Sequence, residues 1–278
     1  GAKFPMTYYG QLSFNEVNPG GNFELFDDSK FDKEYEKEFK KNRLINHVIL
    51  LKELDATIYA KDILKHLASL NIEKGSEVLA AKLSTDVGRY DFAIQISKKA
   101  SYEKRFYNRF NYPIIATPKM INNKTMPNSE VVLAIIRQES EFDSKANSWA
   151  GARGMMQLMK YTAKIVAKEA KLSYSISRLT RDPEYNIKLG SYYFNSLIED
   201  YNGIYPFAIA AYNAGPNRVK TWRRVNGDPS KGKLSYVNWI EMIRFKETRN
   251  YVQRVLENIN VYKYMLNKKP VSIDNFFN

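Results

Sequence analysis

The chain has 278 residues, 44% hydrophobic and 26% charged, with a formal net charge of +13. That composition describes a globular protein with enough core for one large or two ordinary domains. It contains no cysteine and only two histidines, His47 and His66. Disulfides, thiolate metal sites and cysteine nucleophiles are thereby excluded, and a Ser-His-Asp triad or a multi-histidine metal centre is disfavoured.

The first ~110 residues read as short helices joined by polar turns. Pro19-Gly20-Gly21-Asn22 is a loop. Asp32 to Ala56 carries Leu44, His47, Val48 and Leu51 at helical spacing, and Ile63, Leu64, Leu67 and Leu70 share one face of the next segment. Val78 to Leu83 and Phe92 to Ile96 are two more short apolar segments. The pattern suits paired helices stacked as a solenoid, although no fixed-period repeat is visible. A boundary is expected between Phe110 and Pro127, where Tyr112-Pro113, Thr117-Pro118 and Asn122-Asn123-Lys124 break the periodicity. Asn128-Ser129-Glu130 then starts a helix. Further helices are predicted over Thr162 to Lys171, Pro183 to Tyr201, Pro206 to Tyr212 and Glu247 to Leu266. Strand-like alternation is nearly absent. No apolar run approaches the ~20 residues of a membrane span.

Chemistry concentrates in the second half. Val131-Val132-Leu133-Ala134-Ile135-Ile136 is apolar on every face, so its helix is buried. Glu139 ends that helix, where lost hydration favours the neutral acid and the helix dipole disfavours a carboxylate. A neutral acid near pH 7 is what general-acid cleavage of a glycosidic bond requires. The plain alternative is a surface glutamate at a helix end, and Glu141 and Asp143 read as solvated charges. Gly151-Ala152-Arg153-Gly154 with Met155-Met156-Gln157-Leu158-Met159 offers close backbone approach, an amide and thioethers; alone it reads first as a tight turn entering a buried helix. Tyr212-Asn213-Ala214-Gly215-Pro216 ends a helix in a Gly-Pro stop. Glu247, at a helix start, is favoured by the dipole and expected to stay ionised.

Taken together and in this order, these segments resemble the soluble lytic transglycosylases of bacterial peptidoglycan turnover. The matching set is Arg137-Gln138-Glu139-Ser140, Gly154 to Met159, Asp182-Pro183-Glu184-Tyr185-Asn186-Ile187, Ala210 to Pro216 and Glu247-Thr248-Arg249-Asn250-Tyr251-Val252. The resemblance covers about residues 125–265. Tyr8-Tyr9-Gly10-Gln11-Leu12 and Phe106-Tyr107-Asn108-Arg109-Phe110 carry a looser likeness to the helical arm that precedes that domain. The resemblance implies a mainly α protein, with a superhelical arm over residues 1–118 and a lysozyme-like catalytic domain over 119–278. It implies cleavage of the β-1,4 bond between N-acetylmuramic acid and N-acetylglucosamine. It puts Glu139 at the catalytic acid/base and Ser148, Gln157, Met159, Tyr212, Asn213 and Glu247 at substrate-cleft positions, with no metal or cofactor. One departure follows Met159: the family often has proline there, and Lys160 is expected to alter the helix start rather than catalysis.

With one carboxylate where ordinary glycosidases use two, the substrate's 2-acetamido oxygen is expected to attack C1, and the C6 hydroxyl to close a 1,6-anhydro ring. Two rivals remain open: a goose-type-lysozyme-like hydrolase using water, and an inactive peptidoglycan-binding scaffold. Residues 112–278 hold 25 Lys+Arg against 14 Asp+Glu, so the basic surplus lies on the motif-bearing half. It suits an anionic cell-wall polymer or reflects composition alone; no nucleic-acid signature accompanies it. The expected partner is the peptidoglycan glycan strand with its peptide stems, bound by a monomer. Gly1-Ala2 reads as a processed end, and the expected location is periplasmic.

Overall fold

The computed structural model describes residues 1–232 and 234–277. The chain forms two compact units: one of Gly1–Glu24, Ala116–Ser140 and Ser144–Asn278, the other of Leu25–Ile115 with Glu141–Asp143. Among the described residues, no helix is long and apolar enough to cross a membrane.

The first unit begins with α1 (Tyr8–Val17), capped by the Thr7 hydroxyl, which accepts from the Gly10 N–H at 3.1 Å. This helix docks against the last one, far away in sequence. The Tyr8 N–H donates to the Glu257 carboxylate at 2.5 Å, and the Gln11 amide donates to the Glu257 carbonyl at 3.1 Å. Asn260 donates to Gln11 in turn at 3.2 Å. The sequence division at residue 118 assigns Tyr8 to Leu12 to the arm, whereas the structure groups them with the C-terminal part. The reason is this buried polar contact, which no local pattern announces.

The second unit is a run of short helices: α2 (Lys33–Lys40), α3 (Arg43–Glu53), α4 (Lys61–Ser69), α5 (Ser76–Asp86), α6 (Tyr90–Tyr102) and α7 (Asn108–Asn111). The helical stretch expected over Asp32 to Ala56 divides because Asn42 caps α3, accepting from the Leu44 N–H at 3.0 Å. Consecutive helices pack side by side, α4 on α5 and α5 on α6. Small residues allow this: Ala80, Ala81 and Ala93 are wholly buried at the contacts. A buried ion pair, Arg89 to Asp91 at 2.8 and 2.6 Å, starts α6. Phe142, from the short segment that joins this unit, is buried with its ring 6.1 Å from that of Tyr90.

The rest of the first unit opens with a hairpin, β1 (Met120–Ile121) against β2 (Lys124–Thr125). There follow α8 (Ser129–Ser140), α9 (Lys160–Glu169), α10 (Arg178–Arg181) and α11 (Pro183–Asp200). The remaining helices are α12 (Tyr205–Ala214), α13 (Pro216–Asn226), α14 (Tyr236–Glu241) and α15 (Lys246–Asn267). α8 lies against α15, and α12 packs on both α11 and α15. Val131 to Ile136 are all 2% exposed or less, so α8 is enclosed on every side. Each of its valine, leucine and isoleucine side chains contributes about 1.5–3 kcal/mol of transfer free energy. The buried helix is therefore a stiff support for whatever its C-terminus carries.

Candidate active site

Glu139 sits on the last turn of α8, half-buried. The Tyr251 hydroxyl, from the second turn of α15, donates to its Oε1 at 2.6 Å. The glutamate pKa is pushed up to about 7, chiefly by burial; the hydrogen bond from Tyr251 pulls it down, and the negative charge of Glu247 raises it again. Glu247 lies in the first turn of α15, exposed to solvent. It precedes Tyr251 by four residues, so both project from one face of the helix. Burial and the neighbouring Glu139 charge push the hydroxyl pKa of Tyr251 well above its ordinary value, so it remains a donor. Tyr212, at the end of α12, is also raised well above the ordinary value, first by burial and then by Glu139.

A loop over residues 146–158 forms the next part of the site, and its backbone is tied at several points. Asn147 pairs with Arg153, and Arg153 with Leu158, in isolated antiparallel bridges. The Ser140 hydroxyl, adjacent to Glu139, donates to the Met155 carbonyl at 2.8 Å. The Tyr212 hydroxyl donates to the Met156 carbonyl at 2.7 Å. Asn186 on α11 is wholly buried and uses both ends of its amide. It accepts from the Met156 N–H at 2.8 Å and donates to the Arg153 and Leu179 carbonyls at 2.9 and 3.0 Å. Gly154 sits in this knot at φ +74°; a Cβ there would lie 2.0 Å from the Leu179 carbonyl oxygen and 2.4 Å from the Asn186 amide. Only glycine fits.

The structure brings the expected residues together in two groups. Glu139, Tyr212 and Glu247 interact electrostatically. Asn213 accepts from the Thr248 hydroxyl at 2.7 Å, which fixes the end of α12 against the start of α15. Ser148 and Gln157 belong to the loop. The Ser148 hydroxyl accepts from the Ala152 N–H at 3.0 Å, and Gln157 donates to the Gly154 and Ala146 carbonyls at 2.8 and 3.3 Å. These polar groups therefore already hold the loop's shape. Met159 is 44% exposed and caps α9, which starts at Lys160, where a first-turn proline would also fit. Tyr251, Ser140, Thr248 and Asn186 complete the arrangement; each lies within a motif segment, but its role depends on a distant partner. Their partners stand 15 to 112 residues away along the chain. Among the described residues, no group of three or more His, Asp or Glu side chains could hold a metal ion.

Comparison with known proteins places this chain among relatives of one family. Residues 117–235 match the family "Transglycosylase SLT domain". Over 150 residues the chain is 39% identical to the soluble lytic murein transglycosylase of Escherichia coli K12, a match that covers 54% of this chain and 22% of that protein. Among solved structures, lytic transglycosylase Slt of Pseudomonas aeruginosa, an inactive glutamate-to-glutamine mutant, superposes with a TM-score of 0.77 at 29% identity. That match covers 96% of this chain and 42% of the other. The 70 kDa soluble lytic transglycosylase of E. coli gives a TM-score of 0.77 at 26% identity, covering 95% and 42%. The chain thus spans less than half the length of these relatives. Its fold is the expected one, mainly α, with a helical arm and a lysozyme-like domain.

Proposed function

We propose that this chain, whose residues 117–235 match the SLT domain, is a lytic transglycosylase that cleaves the β-1,4 bond between N-acetylmuramic acid and N-acetylglucosamine in peptidoglycan without consuming water. The observation that carries this reading is Glu139: a carboxyl group with a pKa near 7, held by Tyr251 on a rigid buried helix. About half of such groups are protonated at neutral pH, which suits a residue that must act first as acid and then as base.

In the proposed reaction, neutral Glu139 gives its proton to the glycosidic oxygen as the bond to C1 breaks. The 2-acetamido oxygen of the muramic acid attacks C1 and forms an oxazolinium-like intermediate. Glu139, now a carboxylate, takes the proton of the C6 hydroxyl. The C6 oxygen displaces the acetamido oxygen at C1, which closes the 1,6-anhydro ring. Tyr251 orients the acid and supports the carboxylate stage. Tyr212 and Asn213 place α12 and the loop, while Ser148, Gln157, Met159 and Glu247 are assigned to the glycan cleft. Acid–base catalysis of this kind contributes on the order of 10²–10⁴-fold, and orientation of the bound glycan supplies more. The basic surplus of the catalytic half favours a polymer bearing peptide carboxylates, and the proposed place of action is the periplasm.

Incubation with purified peptidoglycan, followed by mass analysis of the soluble products, tests the reading. Ends lighter by one water than the hydrolysis product are expected, and Glu139→Gln should abolish release. Reducing ends would indicate a lysozyme-type hydrolase. Absence of any product from folded protein would indicate a binding scaffold.

A further inference from the structure

Of the three tryptophans in the chain, Trp222 and Trp239 are 6% and 0% exposed, whereas Trp149 is 103% exposed. A singly exposed apolar ring is common on protein surfaces; what sets Trp149 apart is the rigid, hydrogen-bonded turn that holds it beside Glu139. Trp149 is not on a loose segment. It occupies the first central position of a tight turn in which the Gly151 N–H donates to the Ser148 carbonyl at 2.9 Å. The Ser148 N–H donates to the Ala152 carbonyl at 2.9 Å, and the Ala152 N–H returns to the Ser148 hydroxyl at 3.0 Å. Gly151 supplies the left-handed backbone (φ +87°) that closes the turn. The Asn147–Arg153 bridge seals its base, and the Gly154 N–H donates to the Ala146 carbonyl at 2.8 Å. This loop is the one bolted beside Glu139 through Ser140 and to Tyr212 through Met156. The backbone's hydrogen-bonding needs are thus met without the indole, which is free to present its flat face.

We propose that Trp149 is a stacking platform for a sugar ring of the β-1,4-linked N-acetylhexosamine strand on its way into the Glu139 site. The inference rests on the function proposed above. A β-linked pyranose with equatorial substituents turns a flat array of axial C–H bonds outward. The indole face carries the negative end of the ring quadrupole, which attracts such polarised C–H groups. A rigid, wholly hydrated ring loses little conformational freedom when the sugar covers it. Met159 (44%) and Tyr161 (76%), exposed as well, follow the Arg153–Leu158 bridge in the chain. No acidic residue lies between Lys145 and Met159 to repel an anionic strand.

The test uses Glu139→Gln protein to prevent turnover and iodide quenching of tryptophan fluorescence, which reports Trp149 because the other two are buried. Titration with β-1,4-linked N-acetylglucosamine hexamer, and then with peptide-free glycan strands, should protect the fluorescence from iodide. In the same background Trp149→Ala should remove the quenchable signal and weaken glycan co-sedimentation about tenfold, with Trp149→Phe recovering most of the loss and the Tm unmoved in both. Unprotected fluorescence in protein that still binds glycan, with wild-type releasing muropeptides, would refute the platform and leave the proposed function standing. Protection by anionic phospholipid vesicles but not by glycan would also refute it, and would make the ring a membrane contact. If neither binding nor release occurs, the proposed function falls and the platform with it.

Discussion

Replacing Glu139 by glutamine should make the folded protein more stable, and more so as the pH rises. The carboxyl pKa goes from an ordinary 4.5 to about 7 on folding, mainly because the group loses water. Below about pH 4.5 it is protonated in both folded and unfolded chains, and its ionisation costs folding nothing. As the pH rises, the unfolded chain ionises first while the folded one holds its proton, so stability falls. Above about pH 7 the full penalty applies, about 3 kcal/mol at 1.36 kcal/mol per pH unit. Glutamine never ionises, yet its side-chain oxygen can still accept from Tyr251. Other buried carboxyls such as Glu257, also raised by burial, are common to both proteins and cancel in the difference. Thermal unfolding of both proteins in matched buffers from pH 4 to 8.5 measures the effect. The Tm advantage of Glu139→Gln should grow by roughly 6–12 °C across the range, at about 2–4 °C per kcal/mol for a chain of this size. Parallel Tm curves would refute the argument that Glu139 is desolvated, and with it the reason for its acid role.

Activity should fall as the pH rises through about 7, because the first step needs Glu139 protonated; kcat/KM against pH reports this limb. Tyr251→Phe removes the hydrogen bond that pulls the Glu139 pKa down, so the limb should move to higher pH while the rate drops about tenfold or more, as loss of a charge-assisted hydrogen bond implies. Gly154→Ala should lower the Tm by roughly 5 °C, a cost of about 2 kcal/mol or more. It should also reduce turnover, because the added carbon collides with the Leu179 carbonyl and Asn186; a Tm within a degree of wild type would contradict the knot.

Much of this site is legible in the sequence because its components are local. A helix apolar on all faces that ends in Arg137-Gln138-Glu139-Ser140 already announces a buried carboxylate, and the structure raises its pKa as that reading requires. The Gly154 segment and the Tyr212-Asn213 helix end also stand out. What local pattern cannot carry is pairing over distance. Tyr251 reads as one more apolar position on α15 until a contact 112 residues away gives it Glu139 as partner. Gln157 looks like a free amide, yet loop carbonyls already use its donors. Asn186 reads as an ordinary helical asparagine, although its amide joins three backbone strands of the loop and α10. α13 escapes notice because it follows a Gly-Pro stop and is rich in Arg218, Lys220, Arg223 and Arg224 rather than in apolar spacing.

The docking of α1 on α15 sets a schedule for biosynthesis. Tyr8 and Glu257 lie 249 residues apart, and at about 5–20 residues per second the ribosome takes on the order of ten seconds or more to span that gap. Apart from its three-residue Glu141–Asp143 segment, the helical unit between them has its whole sequence early and can fold in the interval. The unit that carries Glu139 cannot, because α8 and α12 both wait for α15 as their common wall. Tyr251 arrives on that same helix, so the environment that tunes Glu139 comes into being only after 112 further residues have been made. A nascent chain that has not yet reached α15 therefore carries the glutamate without the acid strength that Tyr251 and burial give it.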